Sequence, residues 1–468
     1  MTQSSTLHLL DTPLPSPSLL ALLSQHLPHS LPVLRRLQYA ANFPGNNGLA
    51  TTPYSHVLYA SRFSVDECLH VASHEGNWKE HKGRKHFAAA FVDLSRFPET
   101  QVWVYSTLED YAVLDSEAGA GAGAAMATGV SFTERLGGPH SLLPLPEEEA
   151  KECDRYLIAL LRRMRTIAQE MPVELELDPD VTCPQRRENW MEARAYLCLG
   201  NDNGNGNGNG EGKKRQGPKV LIGSLAEIHR HRLRSPVYGY NVQMHKTANI
   251  PDEIDWEVCQ KWLFRAEALV SSSSPTTNKQ NKQQQQEVSS FPTNKQNKQN
   301  KQQQQQQEEE AAEKVEKVME EEGLIWDSVR NQQDVRLVQS RTSIQRQEDT
   351  LLGVPSVVVR RKMKGGEGKG EGQGQGQGQM VAWGFMAVDG SLMTLHVEDQ
   401  YRGKGLAKAV ACKVMRDHIR DYGDDGWGAA DVFVGNVRSQ GVCRSIGGRV
   451  GWLLSWAVVD LSTVGDAL

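Results

Sequence analysis

Short apolar runs alternating with polar residues mark the first half of the chain, at HVLYASR (56–62), HFAAAFVD (86–93), QVWVYS (101–106) and KVLIGS (219–224). This patterning predicts a β-strand at each. DRYLIALLRRMRTIAQEM (154–171) has the other period, with Leu157, Leu160, Leu161, Met164 and Ala168 on one face, and predicts an amphipathic helix. DWEVCQKWLFRAEALV (255–270) reads as a second helix, with Trp262, Leu263 and Ala266 facing inward. Further on, PSVVVRR (355–361) and MVAWGFMAVDGSLMTLHV (380–397) predict three consecutive antiparallel strands, with Asp389-Gly390 making the second turn. A helix over 406–421 puts Ala407, Val410, Ala411, Val414, Met415 and His418 on one face and Lys413, Arg416, Asp417, Arg420 and Asp421 on the other, until Gly423 ends it. ADVFVGNVRSQGVCRSIGGRVGW (430–452) then predicts a buried strand, a short helix opened by Asn436-x-x-Ser439, and a last strand after Gly447-Gly448. Strands and helices mix without strict alternation, so the class is α/β in the broad, α+β, sense.

Four low-complexity stretches interrupt this pattern: 119–129, 201–217, the Ser/Asn/Lys/Gln/Glu tract 271–322, and 365–379. They bury too little to fold and read as insertions between elements. The last falls inside a predicted hairpin, which tolerates it because loop-closure entropy grows only logarithmically with length. The acidic end of the third, EEEAAEKVEKVMEEEG, is expected to extend as a helix into the second domain. The domain reading is an N-terminal α/β lobe over 1–250, a connecting helix at 251–270, a linker at 271–322 and that second domain at 323–468.

The chemistry concentrates at LMTLHVEDQYRGKGLA (392–407), a strand running into Gln400-x-x-Gly403-x-Gly405 and then a helix beginning at Leu406 and Ala407. Two glycines let the main chain turn tightly so that successive N–H groups face one concavity, and the helix start behind them favours negative charge. Arg402 and Lys404 add positive charge. The loop therefore reads as a pyrophosphate cradle. A Walker loop is excluded by spacing, and the dinucleotide fingerprint by Lys408 at its third small position.

The loop and its flanks resemble the acyl-CoA site of the GNAT superfamily, whose Gln/Arg-x-x-Gly-x-Gly/Ala signature reads here as Gln400, Gly403 and Gly405. Trp326, SRTSIQR (340–346), Pro355-Ser356, Val381-Ala382-Trp383 and FVDLSRFPETQVWVYSTLE (91–109) are similar to segments of its glycine N-acyltransferase-like branch. The resemblance implies a GNAT fold at 323–468, with a mixed, mostly antiparallel sheet flanked by helices. It further implies a first lobe that is itself partly GNAT-like and shapes the acceptor pocket.

The implied reaction is direct acyl transfer from acetyl-CoA or another acyl-CoA to the amine of a small molecule or amino acid, with no metal. Protein-lysine or N-terminal acetylation and a catalytically inactive CoA-binding module are the alternatives, followed by scaffolding through the Gln-rich tract. The resemblance implies thioester-polarising main-chain donors at Leu395, His396 and Val397, a facing strand at Val432–Val437, and a cofactor contact or helix cap at Asn436. Where that branch carries a glutamate base, this chain has Ser391, so Asp389 becomes the first candidate, followed by His396 and Glu398. Where many relatives carry a tyrosine acid, seven residues after Asn436, this chain has Cys443; a thiol of ordinary pKa can protonate a departing thiolate.

Composition excludes other classes. The 468 residues carry a formal charge of −5 and 38% hydrophobic residues, with no basic face or module for nucleic acid. No apolar run reaches membrane-spanning length. Seven dispersed cysteines without a Cys-x-x-Cys pair suit a reducing compartment, and no targeting signal is read at the N-terminus, so cytoplasm or nucleus is the expectation. His70, His74, His81 and His86 lie close together, but they lack a His-Glu-x-x-His pattern and read as a solvated loop rather than a metal site.

Overall fold

The computed structural model describes residues 7–43, 48–74, 85–111, 145–172, 174–175, 218–244, 258–265, 310, 313–344, 346–362 and 378–465, without the side chains of 70–74. The low-complexity stretches 119–129 and 201–217 lie outside these residues, as do 271–309 and 365–377.

The described strands join in one sheet. The first half supplies β1 (His8–Thr12), β2 (Ser55–Ser61), β3 (Ala88–Asp93), β4 (Val102–Ser106), β5 (Lys219–Ala226), β6 (Val242–Met244) and β7 (Cys259–Arg265). The second supplies β8 (Leu324–Asp327), β9 (Ser356–Arg361), β10 (Met380–Met386), β11 (Ser391–Val397), β12 (Trp427–Phe433) and β13 (Arg449–Asp460). Across the sheet the order is β1-β2-β3-β4-β5-β13-β7-β12-β11-β10-β9-β8, and β6 pairs with β13. From either edge the plan is the same: an antiparallel run of four strands, one parallel step, then an antiparallel partner contributed by the other half. The halves have exchanged their last strands, and β7 and β13 meet antiparallel at the centre.

The exchange corrects one expectation. Residues 259–265, predicted as part of a connecting helix over 251–270, form β7, and Cys259 to Phe264 are all buried. A strand covered on both faces and flanked by two neighbours needs no polar alternation, so its apolar spacing imitates a buried helix.

Helices cover the sheet. Glu147–Glu170 begins earlier than its apolar stripe predicts, because Glu147, Glu148 and Glu149 suit the positive end of the helix. Its Leu157, Leu160, Leu161 and Met164 share a core with Leu58, Ala90, Val92 and Ile222. Leu406–Tyr422 puts Val410, Ala411, Val414 and Met415 into a second core with Trp383 and Phe385. That core also takes in helices Pro17–Ser24 and Leu31–Asn42, for which the apolar pattern gave no expectation. The result is a mixed α/β fold with a large, mostly antiparallel sheet, in which the order from β8 to β13 is the expected GNAT order.

Candidate active site

β11 and β12 pair only at Ser391↔Ala429 and Leu392↔Ala430, then separate. β11 stays on β10 through a bulge between Trp383 and Phe385, where Thr394 takes φ +52°. Beyond Leu392 its main chain faces a wedge-shaped gap instead of a neighbouring strand, a geometry that leaves N–H groups for a ligand. The facing strand is Trp427–Phe433 rather than the expected Val432–Val437; Asp431, Val432 and Phe433 at its end and Asn436 beyond it line the site, while Val437 opens the helix Val437–Ser445 and is exposed. β4 and β5 separate in the same way after Val102↔Ile222 and Trp103↔Gly223. There Thr100 and Trp456 crowd Gly223, and the Trp456 indole N–H donates to Thr100 at 3.2 Å.

The predicted cradle follows β11. Gln400 lies in the short 3-10 turn Asp399–Tyr401. Gly403 (φ +76°) and Gly405 (φ +85°) occupy the left-handed region that glycine tolerates best, and Gly405 caps the helix that starts at Leu406 and Ala407. Arg402 is tied down locally, donating to the Val397 carbonyl at 3.0 Å and pairing with Asp399 at 2.6 Å. Lys404 pairs with Glu322. Residues 313–321 are helical, as expected for the acidic segment, and Val315 lies 3.0 Å from where a Cβ on Gly405 would stand.

A cavity of roughly 300 Å³ adjoins the wedge and is walled by both halves. Asp389 and Ser391 meet on its wall: Oδ1 of Asp389 accepts from the Ser391 hydroxyl at 2.6 Å and from its N–H at 3.1 Å. Oδ2 accepts from the Trp103 indole at 3.2 Å, a partner 286 residues away that sequence reasoning missed. Asp431 was missed too. It lines the cavity, pairs with Lys261 at 2.5 Å and accepts from the Ser224 hydroxyl at 2.7 Å. Burial raises its carboxyl above the usual range; Lys261 opposes this and Asp389 adds to it. The available signal was an aspartate inside the apolar run ADVFV.

Cys443 lines the cavity but is buried, and burial pushes its thiol up to about 12. It is then a weaker acid than the thiol that protonating the departing thiolate would form, for which the ordinary pKa is about 8.5. Asn436 lines the cavity and caps the next helix, its side-chain oxygen accepting from the Ser439 N–H at 3.1 Å. Leu395 lines the cavity, whereas His396 and Glu398 lie outside its lining. His396 stacks on Trp383 with ring centroids 4.6 Å apart, and burial lowers its pKa. Glu398 accepts from Arg341 at 3.0 Å.

His86, expected in a solvated loop, is buried, with Nδ1 against Thr107 at 3.2 Å and Nε2 against Glu149 at 3.3 Å. His81 and the side chains of His70 and His74 lie outside the described residues. Among the described residues, no group of three or more His, Cys, Asp or Glu side chains is arranged to hold a metal. No described helix is long and apolar enough to cross a membrane.

Residues 5–251 match a family model described as "Acyl-CoA N-acyltransferase verG N-terminal domain". Residues 371–457, which include the cradle and the wedge, match one described as "FR47-like protein". No curated protein matches the chain. Among solved structures it is similar to a Drosophila protein determined by X-ray diffraction in a structural genomics programme, at 11% identity and a TM-score of 0.44, over 97% of this chain and 98% of that one.

Proposed function

The chain belongs to the acyl-CoA N-acyltransferase family, in the GNAT superfamily, whose N-terminal domain its residues 5–251 match, and from that premise we propose that it transfers an acyl group, in the first instance acetyl, from CoA to the amine of a small molecule or amino acid. The observation that carries this reading is the wedge between β11 and β12, with the Gly403/Gly405 turn at one end and a cavity walled by both halves at the other.

In this reading, the N–H groups at the start of helix Leu406–Tyr422 hold the pyrophosphate, with Gln400, Arg402 and Lys404 around it. Main-chain donors of β11 near Leu395, His396 and Val397 polarise the thioester carbonyl. Asp389, its carboxylate oriented by Ser391 and Trp103, receives the acceptor's ammonium group. Asn436 fixes the start of the helix on the far wall, and Cys443 packs that wall. A cavity of this size between two halves of the chain suits a small acceptor better than a lysine or N-terminus presented on a protein surface.

The test is thiol release from acetyl-CoA by the full chain with the twenty amino acids, tyramine and short peptides as acceptors. Release that needs an amine and disappears in Gly403→Glu supports the proposal. Failure to bind acetyl-CoA sinks it, binding without release across the panel favours an inactive CoA-binding module, and release with peptides alone favours protein acetylation.

A further inference from the structure

Two carboxylates of the second half, Asp389 before β11 and Asp431 in β12, line the same cavity in different surroundings. Asp389 is fully engaged by neutral donors, two from Ser391 and one from Trp103. These contacts fix the direction of both oxygens, which suits a carboxylate that anchors a cation. Asp431 stands one residue beyond Leu392↔Ala430, where the wedge begins, and its side chain is 5% exposed. It is contacted by Lys261 of β7 and Ser224 of β5, so two strands of the first half converge on this residue of the second.

Resting on the acyltransfer reading above, we infer that Asp431 takes the acceptor's proton, that Asp389 holds the ammonium beside it, and that Lys261 tunes Asp431 for the task. Two carboxylates in one site with different surroundings divide the roles of base and anchor in this way. The ammonium gives one proton to Asp431 and becomes an amine. Its lone pair forms the C–N bond at the thioester carbonyl while the C–S bond breaks, and the electron pair leaves on the CoA thiolate. The remaining extra proton on nitrogen passes through solvent to that thiolate.

The charged and titratable groups around Asp431 set the direction of each variant. Lys261 favours its charged form; Asp389 disfavours it, and Cys259 of β7 is a further titratable neighbour. Removing the cation in Lys261→Met raises the proton affinity of Asp431, so the acid limb of the kcat–pH profile moves to higher pH, by about one unit or more. Removing the neighbouring anion in Asp389→Asn moves the limb to lower pH and raises KM for the amine. Asp431→Asn removes the base, lowering kcat by about 10²–10⁴-fold with acetyl-CoA binding retained.

The experiment records kcat and KM against pH for the full chain and these three variants, using acetyl-CoA and the fastest amine of the panel. In parallel, the side-chain carboxyls are titrated by carbon-13 NMR with acetyl-CoA bound. Opposite shifts for Lys261→Met and Asp389→Asn, in the kinetic limb and in the Asp431 resonance, support the assignment; a purely structural role moves neither. Asp431→Asn within threefold of wild-type kcat, or a limb unmoved in Lys261→Met, overturns it while leaving the acyltransfer reading in place. If no amine releases thiol, that reading fails, and an Asp431 resonance that titrates at or below Asp389 overturns the assignment as well. Should Lys261→Met not fold, Ser224→Ala, which removes one donor to the Asp431 carboxylate, is expected to move the limb upward by a smaller step.

Discussion

Ser224 and Asp431 occupy the same place in the two halves, and they touch. Each follows the last parallel pair of its half, Trp103↔Gly223 and Leu392↔Ala430. The Ser224 hydroxyl donates to Asp431 at 2.7 Å across 207 residues of sequence. β13 and β7 lie between β5 and β12 in the sheet, so the contact reaches across both exchanged strands. Thr100, Trp103 and Trp456 beside the first position and Asp431 at the second line the same cavity. The two equivalent positions thus meet at one candidate site, where Ser224 supports Asp431.

The two cradle glycines separate fold from ligand. Both have positive φ, so alanine at either adds strain of about 1–2 kcal/mol. A Cβ at Gly403 meets nothing within 4 Å, whereas one at Gly405 meets Val315 at 3.0 Å. Gly405→Ala is therefore expected to lower the melting temperature more than Gly403→Ala. Both weaken acetyl-CoA binding, measured by calorimetry. Equal melting temperatures would show that the 313–321 helix does not press on the loop.

Lys404 is held by Glu322 in a pair exposed enough to be worth only about 0.2–1 kcal/mol. A phosphate at the cradle competes with Glu322 for that cation. Glu322→Gln is expected to tighten acetyl-CoA binding by up to about fivefold at low salt, the equivalent of that energy. The gain fades as salt is raised. Unchanged or weaker affinity at low salt would place Lys404 outside the phosphate contacts.

Local signals were legible and distant ones were not. The Asp389-Gly390 turn, the Gly403 and Gly405 positions and the cap at Asn436 are each set by neighbours in sequence, and the structure has all of them. β7 was misread because covering both faces of a strand removes the alternation that identifies it. Trp103 on Asp389, and Lys261 and Ser224 on Asp431, join segments from both halves, and no single window of sequence contains both partners. The assignment of Cys443 as an acid rested on the ordinary pKa of a thiol, and burial removes that premise.

Cys443 is expected to be dispensable. With its thiol pushed up to about 12, it stays protonated and unreactive at neutral pH. Cys443→Ala should keep kcat within about threefold of wild type, because what it removes is packing rather than proton transfer. The native protein should leave this thiol unlabelled by a thiol reagent at pH 8 until it is unfolded. A hundredfold loss of kcat in Cys443→Ala would restore the acid role.

Arg35 ties the first half to the end of helix Leu406–Tyr422. Its guanidinium donates to the carbonyls of Ile419, Gly423 and Trp427 at 2.7–3.2 Å and pairs with Asp425 at 2.6 Å. Burial lowers the Arg35 pKa and raises that of Asp425, so each charge depends on the other. Arg35→Met is expected to cost about 3 kcal/mol, since it strands a carboxylate whose side chain is only 12% exposed. Adding Asp425→Leu should recover part of that loss. A double variant less stable than the single one in urea unfolding would show that the carbonyl contacts, not the charge pair, dominate.

Asp110 sets an acid limit on the first half. Burial alone would raise its carboxyl, but His26, His29 and the Tyr105 hydroxyl outweigh burial and hold it below the ordinary range. His26 lies 2.7 Å from one carboxylate oxygen and the Tyr105 hydroxyl donates to the other at 2.8 Å. Because the folded pKa lies below the unfolded value of about 3.9, the stabilisation is fully present above that pH and is lost as pH falls through the folded value. Asp110→Asn keeps the shape and removes the charge. It is expected to destabilise the protein at pH 6 by about 1–3 kcal/mol and to flatten the loss of stability below about pH 4. Urea unfolding followed from pH 6 to pH 3 measures both effects, and a variant with an acid slope as steep as the wild type would show that other carboxylates set the limit.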